Sequence, residues 1–220
     1  MLLVRRPEIA LLLYSLVLLP GVLLHEVSHW LAATFLGVRT GRFSVWPAQQ
    51  PDGTLRLGYL ETERTDFFRE ALIGAAPLIL GSLVVGMVGF FRLDLEPVGQ
   101  ALAAGELGTA AHAAQQSLGR PDAWLWGYLA FAVSNSMLPS ASDRRAWPAA
   151  ALALGLLGVL LAVAGFGPLA FSSLAGLIEG AARAAAAVFS ITISLDLIAL
   201  PLIFVIEALT AKATGMRVEY

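Results

Sequence analysis

The chain has 220 residues, of which 58% are hydrophobic and 14% charged, and its mean hydropathy is +0.76, well outside soluble-domain averages. A net charge of −2 with no basic run gives no electrostatic case for nucleic acid or for a polybasic membrane tether. Cysteine is absent, which excludes disulfides and thiolate ligands and leaves His, Asp and Glu to hold any metal. The expected class is an all-α polytopic membrane protein in the lipid bilayer, with about five transmembrane helices, a small membrane-associated β-hairpin after the first, and no internal repeat.

The first helix is expected from about Pro7 to Leu36, with Pro7 in its first turn, a kink at Pro20-Gly21 and Gly37 as its stop. The N-terminal run could pass for a signal peptide, but it continues through Leu24 without a small-x-small cleavage site and reads as a retained span. Inside it lies His25-Glu26-Val27-Ser28-His29. Residues four apart share a helix face, so His25 and His29 can offer imidazole nitrogens to one metal ion. Glu26 beside them can take a proton from a metal-bound water, the chemistry that H-E-x-x-H spacing serves. Two histidines and a glutamate are costly in hydrocarbon and point to a site there. The other reading ends the helix before His25 and leaves these residues at headgroup level.

Phe43–Trp46, Gln50-Pro51-Asp52-Gly53 and Thr54–Leu60 read as strand, turn and strand. This hairpin is either an edge that pairs with an unwound substrate strand or a connector on the membrane surface. A second span from about Phe68 to Phe91 carries Gly74, Ala76-Pro77-Leu78, Gly81 and Gly86, small residues that permit close helix approach. The segment Arg92–Pro121 is too mixed to cross and reads as a loop with a surface helix, where His112 is a solvated histidine. A third span from about Ala123 to Leu138 ends in a polar cluster that includes Asn135, Pro139 and Asp143. A fourth runs from about Trp147 to Ala164. Glu179 and Arg183 mark an interfacial helix over Ser172–Ala187. A fifth span, from about Val188 to Leu209, contains Asp196, which either lines a polar path or is a hydrogen-bonded acid facing the bundle.

With five spans, the side that holds the N-terminus carries five Arg, and the opposite side carries nine Lys and Arg. That bias puts the second side in the cytoplasm. His25 and His29 lie in the half of the first helix nearer that side, and Asp143 is attached to it.

At these residues the chain resembles the site-2 protease family of intramembrane zinc metalloproteases. His25-Glu26-Val27-Ser28-His29 matches that family's first motif fully, and Asn135, Pro139 and Asp143 look like its later Asn-Pro-Asp-Gly type motif, with an Asn-to-Asp interval of eight. Proline is displaced by one place, and Arg144 stands where glycine is usual. Ala76-Pro77-Leu78 resembles the middle Gly-Pro-Leu motif, with Leu80 where an asparagine is expected. The resemblance runs from His25 to Asp143 and leaves the last two spans without a motif. It implies a single intramembrane metalloprotease-like domain over 1–220, with a core at 8–145 and additional helices at 146–220. It also implies one Zn2+ per chain held by His25, His29 and Asp143, with Glu26 as the catalytic base and Asn135 contacting substrate or an oxyanion. Glu61, Glu70, Asp196 and His112 are the rival third ligands. The implied activity is endopeptidase cleavage in or near transmembrane segments of membrane-protein substrates, at a multi-pass site in the cell membrane that faces the cytoplasm. Without thiolates, cobalt, manganese or iron also suit the donors. The competing functions are a catalytically silent membrane relative that binds partners, or a protein that binds or transports metal.

Overall fold

A computed structural model describes residues 7–49 and 55–214. Helix α1, Pro7–Phe35, runs continuously through Pro20 and past both histidines, so these residues do not sit beyond a helix end. It stops where expected: Gly37 takes φ +68°, Gly37 N donates to Thr34 O, and Val38 N donates to Ala33 O. This is a Schellman cap, for which glycine pays no Cβ penalty.

The chain then forms β1 (Thr40–Ser44), β2 (Ala48–Gln49), β3 (Leu55–Arg56) and β4 (Tyr59–Thr62). β1 pairs antiparallel with β4, Phe43 opposite Leu60 and Ser44 opposite Tyr59, with a register shift between Thr40 and Phe43. β2 pairs antiparallel with β3. The expected turn at 50–53 lies outside the described residues. The hairpin is more than a surface connector, because Val45 and Leu57 pack against the buried Leu18, Val22 and Ala132.

Helix α2 (Phe67–Met87) is capped by Asp66 and continues into a π-helical turn, Val88–Arg92. Two short helices follow, α3 (Glu96–Ala103) and α4 (Leu107–Leu118), where one surface helix was expected. Gly105 lies between them at φ +76°. Helix α5 is Ala123–Ser136, α6 is Trp147–Val163 and α7 is Gly167–Thr214.

Helix α7 corrects the expected division into an interfacial helix and a separate fifth span, since it is one helix of 48 residues. Between Arg183 and Val188 the sequence is all alanine, the strongest helix former, and nothing there stops the helix. Among the described residues, three helices are long and apolar enough to cross a membrane, at Tyr14–Phe35, Phe67–Arg92 and Leu174–Val205. Helix α5, with 14 residues, is about 21 Å long against a hydrocarbon core of about 30 Å, and α6 is about 26 Å.

The core lies where α1, α2, α5 and α7 meet. Val85, Val133, Met137 and Val188 are buried together, with Leu24, Leu78 and Ile191 against them. Helices α1 and α5 touch at Gly21, where a Cβ would lie 2.0 Å from the carbonyl oxygen of Ala132. Only glycine permits that approach, and it draws the end of α5 onto the histidine-bearing half of α1.

Candidate metal centre

His25 and His29 stand one turn apart on α1, with their Nε2 atoms 3.1 Å from each other. His25 Nδ1 is 2.7 Å from Ser136 O, and His29 Nδ1 is 2.9 Å from Ile73 O. A carbonyl oxygen only accepts, so each Nδ1 carries the donated proton and each Nε2 of a neutral imidazole presents a lone pair. Asp143 completes the group, with Oδ1 3.3 Å from His29 Nε2 and Oδ2 3.7 Å from His25 Nε2. Three acceptors facing one another are stable only with a positive centre between them, a proton or a metal ion. The ligand atoms lie within 4.8 Å of one another, and the group can hold a metal ion. Two imidazoles and one carboxylate are also a donor set that leaves a fourth tetrahedral position open.

Two prolines account for the carbonyls that orient the rings. In α2 the Ile73 carbonyl would accept from the N–H of residue 77, but Pro77 has none. That oxygen is therefore available to His29. At the end of α5, Ser136 O has Pro139 three residues on and Ser140 four on, and the Ser140 N–H is committed to Asp143 Oδ2 at 2.7 Å. That carbonyl is left for His25. Such outer hydrogen bonds fix the tautomer and direction of a ligating histidine.

Asp143 comes from the loop after α5. Ser140 holds it with its backbone N–H and with Oγ at 2.6 Å. Gly74 of α2 admits it, because a Cβ there would lie 2.0 Å from Asp143 O. Burial by itself raises the Asp143 carboxyl. A hydrogen bond from a protonated His29, the Ser140 bonds and the His29 charge outweigh it, and the carboxyl is held below the ordinary carboxylate range. Asp143 does not cap α6, whose N-cap is Ala146.

Glu26 is buried, at 6% exposure. The hairpin backbone lies against it: a Cβ at Gly58 would fall 2.9 Å from Glu26 Oε1 and 3.0 Å from Ser44 O. A cavity of about 500 Å³ joins His25, Glu26, His29, Gly58, Asn135 and Asp143. Polar residues on its walls include Arg64 and Thr65, between β4 and α2, and Ser142 and Arg145, between α5 and α6.

Among the described residues none of the rival ligands belongs to that group, although Glu70 lines the same cavity. Glu61 accepts from the backbone N–H of Arg42, Glu70 pairs with Arg145 at 3.5 Å, and the exposed His112 meets Gln116. Asp196 accepts from Asn135 Nδ2 at 2.9 Å, as a hydrogen-bonded acid facing the bundle. Sequence reasoning did not single out Ser140, Gly58 or the Ile73 carbonyl, although Pro77 was a usable signal for the last. The chain matches no family model, no curated protein and no solved structure.

Proposed function

We propose that the chain is a zinc-dependent intramembrane endopeptidase, similar to site-2 proteases, which hydrolyses peptide bonds in or near transmembrane segments. The carrying observation is the convergence of His25, His29 and Asp143 beside the buried Glu26, in a polar-walled cavity off a membrane-length helix. His25, His29 and Asp143 would hold the ion, which when bound acidifies a water and polarises a carbonyl. Glu26 takes the proton from the attacking water and delivers it to the leaving amide nitrogen, so the carboxylate ends as it began. Substrate helices must unwind first, because intact helices keep their carbonyls in hydrogen bonds that lipid cannot replace. The hairpin over Glu26 shields the base from bulk water.

In this reading α5 and α6 cross with their neighbours to give five spans, and the site faces the cytoplasm. Glu26→Gln keeps the shape and loses the base, so it retains metal while cleavage of a transmembrane substrate falls about 10²–10⁴-fold. Equal cleavage by the variant and the parent refutes the enzyme. Metal analysis of the purified protein separates zinc from cobalt, manganese and iron. The chain has no cysteine, so single-cysteine labelling is clean: Arg42→Cys and Ser142→Cys react from the cytoplasmic side and Glu106→Cys from the other. The reverse pattern overturns the orientation.

A further inference from the structure

Asn135 stands on the cavity wall, and its amide group is committed on one side. Nδ2 donates to Phe131 O at 3.0 Å and to Asp196 Oδ1 at 2.9 Å. Both partners are acceptors, so a flipped amide would set its oxygen against two oxygens. The NH2 group is thereby fully used, and the polar atom Asn135 has left to offer is its carbonyl oxygen.

We propose that Asp196 of α7 is a positioning residue that locks the Asn135 amide, so that Asn135 Oδ1 accepts a backbone N–H of an unwound substrate segment in the cavity. The inference rests on the peptidase reading and narrows it, since it makes Asn135 a substrate-binding acceptor and excludes it as an oxyanion donor. An unwound segment in a membrane carries N–H groups that need acceptors, and an acceptor one helix turn from Pro139 and beside the metal centre meets that need. It also gives α7 a role in the site, through the hydrogen bond that joins it to α5.

The test separates binding from cleavage. In nanodiscs, in a Glu26→Gln background, the Kd of a fluorescent transmembrane peptide with a central Gly-Pro break is measured directly. Asp196→Leu removes the acceptor, frees the amide to rotate and weakens binding about three- to tenfold, the worth of one hydrogen bond. Asp196→Asn can still accept through its own carbonyl oxygen and stays near the parent. In the Glu26-intact enzyme the same loss falls on KM, with kcat little changed. Unchanged peptide Kd in Asp196→Leu overturns the proposal, as does a fall confined to kcat, a loss in Asp196→Asn equal to that in Asp196→Leu, or loss of bound metal in Asp196→Leu. If the parent binds the peptide with this dependence yet never cleaves it, the peptidase reading fails and the acceptor role stands.

Discussion

Residues 7–146 and 147–214 are both mainly helical and apolar, yet they use their small residues differently. In the first region, Gly21, Gly74 and Gly81 each sit where a Cβ would meet a neighbouring element at 2.0–2.5 Å. In the second, Gly155, Gly158, Gly176 and Gly180 have nothing within 4 Å. Burial follows the same division: 39% of the most apolar stretch of α1 and of α2 is buried inside the protein, against 6% for α7. Lipid solvates an apolar side chain about as well as protein does, so hydropathy does not distinguish a packed helix from a lipid-facing one. Close approach does, and among the described glycines it is tightest at Gly21 and Gly74, on the two helices beside the candidate metal centre.

The sharpest way to break this contrast is to add the same side chain to both regions. Gly74→Leu must displace the Asp143 backbone, and metal affinity should fall about 10- to 100-fold, the range for disturbed ligand support. Gly158→Leu should leave it unchanged. Isothermal titration with zinc reads both, and a Gly74→Leu protein that binds as the parent does would show that the loop tolerates movement and the contrast is incidental.

The prolines offer a second, smaller contrast. Pro77 in α2 frees the carbonyl that holds His29, whereas Pro201 in α7 belongs to no such pair among the described residues. Pro77→Ala supplies an N–H that competes for Ile73 O, and zinc affinity should drop up to about tenfold, since the carbonyl can still accept a second bond. Pro201→Ala should not alter it. Equal effects from the two variants would assign Pro77 to helix shape alone.

Much of this was legible in the chain. H-E-x-x-H is a local motif, so His25, Glu26 and His29 follow from helical spacing, and the chain breakers Pro139 and Gly37 mark real ends. The starts of α2, α5 and α6 came within a residue or two, because each apolar run begins abruptly after polar residues. Contacts between distant residues were not legible: Gly74 against Asp143, Gly58 against Glu26, and Asn135 with Asp196. Each joins segments whose relative placement depends on packing across the bundle, and no periodicity encodes it. The last helix was misdivided for a different reason. Glu179 and Arg183 look like an interfacial pair, but they are i,i+4 partners on an exposed face, which a continuous helix carries as readily as a short one.

Packing gives a third contrast. Val85 is fully buried, at 0% exposure, and Leu160 of α6 is 66% exposed. Val85→Ala removes methyl groups that touch Val133, Met137 and Val188 and should cost about 1–2 kcal/mol in a reversible unfolding assay in bicelles. Leu160→Ala, made on an exposed face, should stay within about 0.5 kcal/mol. A costly Leu160→Ala would mean that α6 is covered by protein after all.

The smallest expected effect lies at the helix starts. Asp66 caps α2, its Oδ1 accepting from the N–H groups of Phe68 and Arg69 at 3.1 Å each, while Ala146 at the start of α6 makes no side-chain cap bond. The Arg69 N–H, helped by the Arg69 guanidinium and the Phe68 N–H, outweighs an opposing desolvation and lowers the Asp66 carboxyl. A carboxyl lowered in the folded state stabilises it fully above its unfolded value, about 4, and loses that contribution as pH falls through the lowered folded value. Asp66→Ala should therefore give a modest drop in Tm that is constant from about pH 8 to 5 and narrows below about pH 4. Ala146→Asp should raise Tm slightly, because it supplies a cap where none exists. A Tm gap for Asp66→Ala that widens on acidification would reverse the sign and remove Asp66 as an ionised cap.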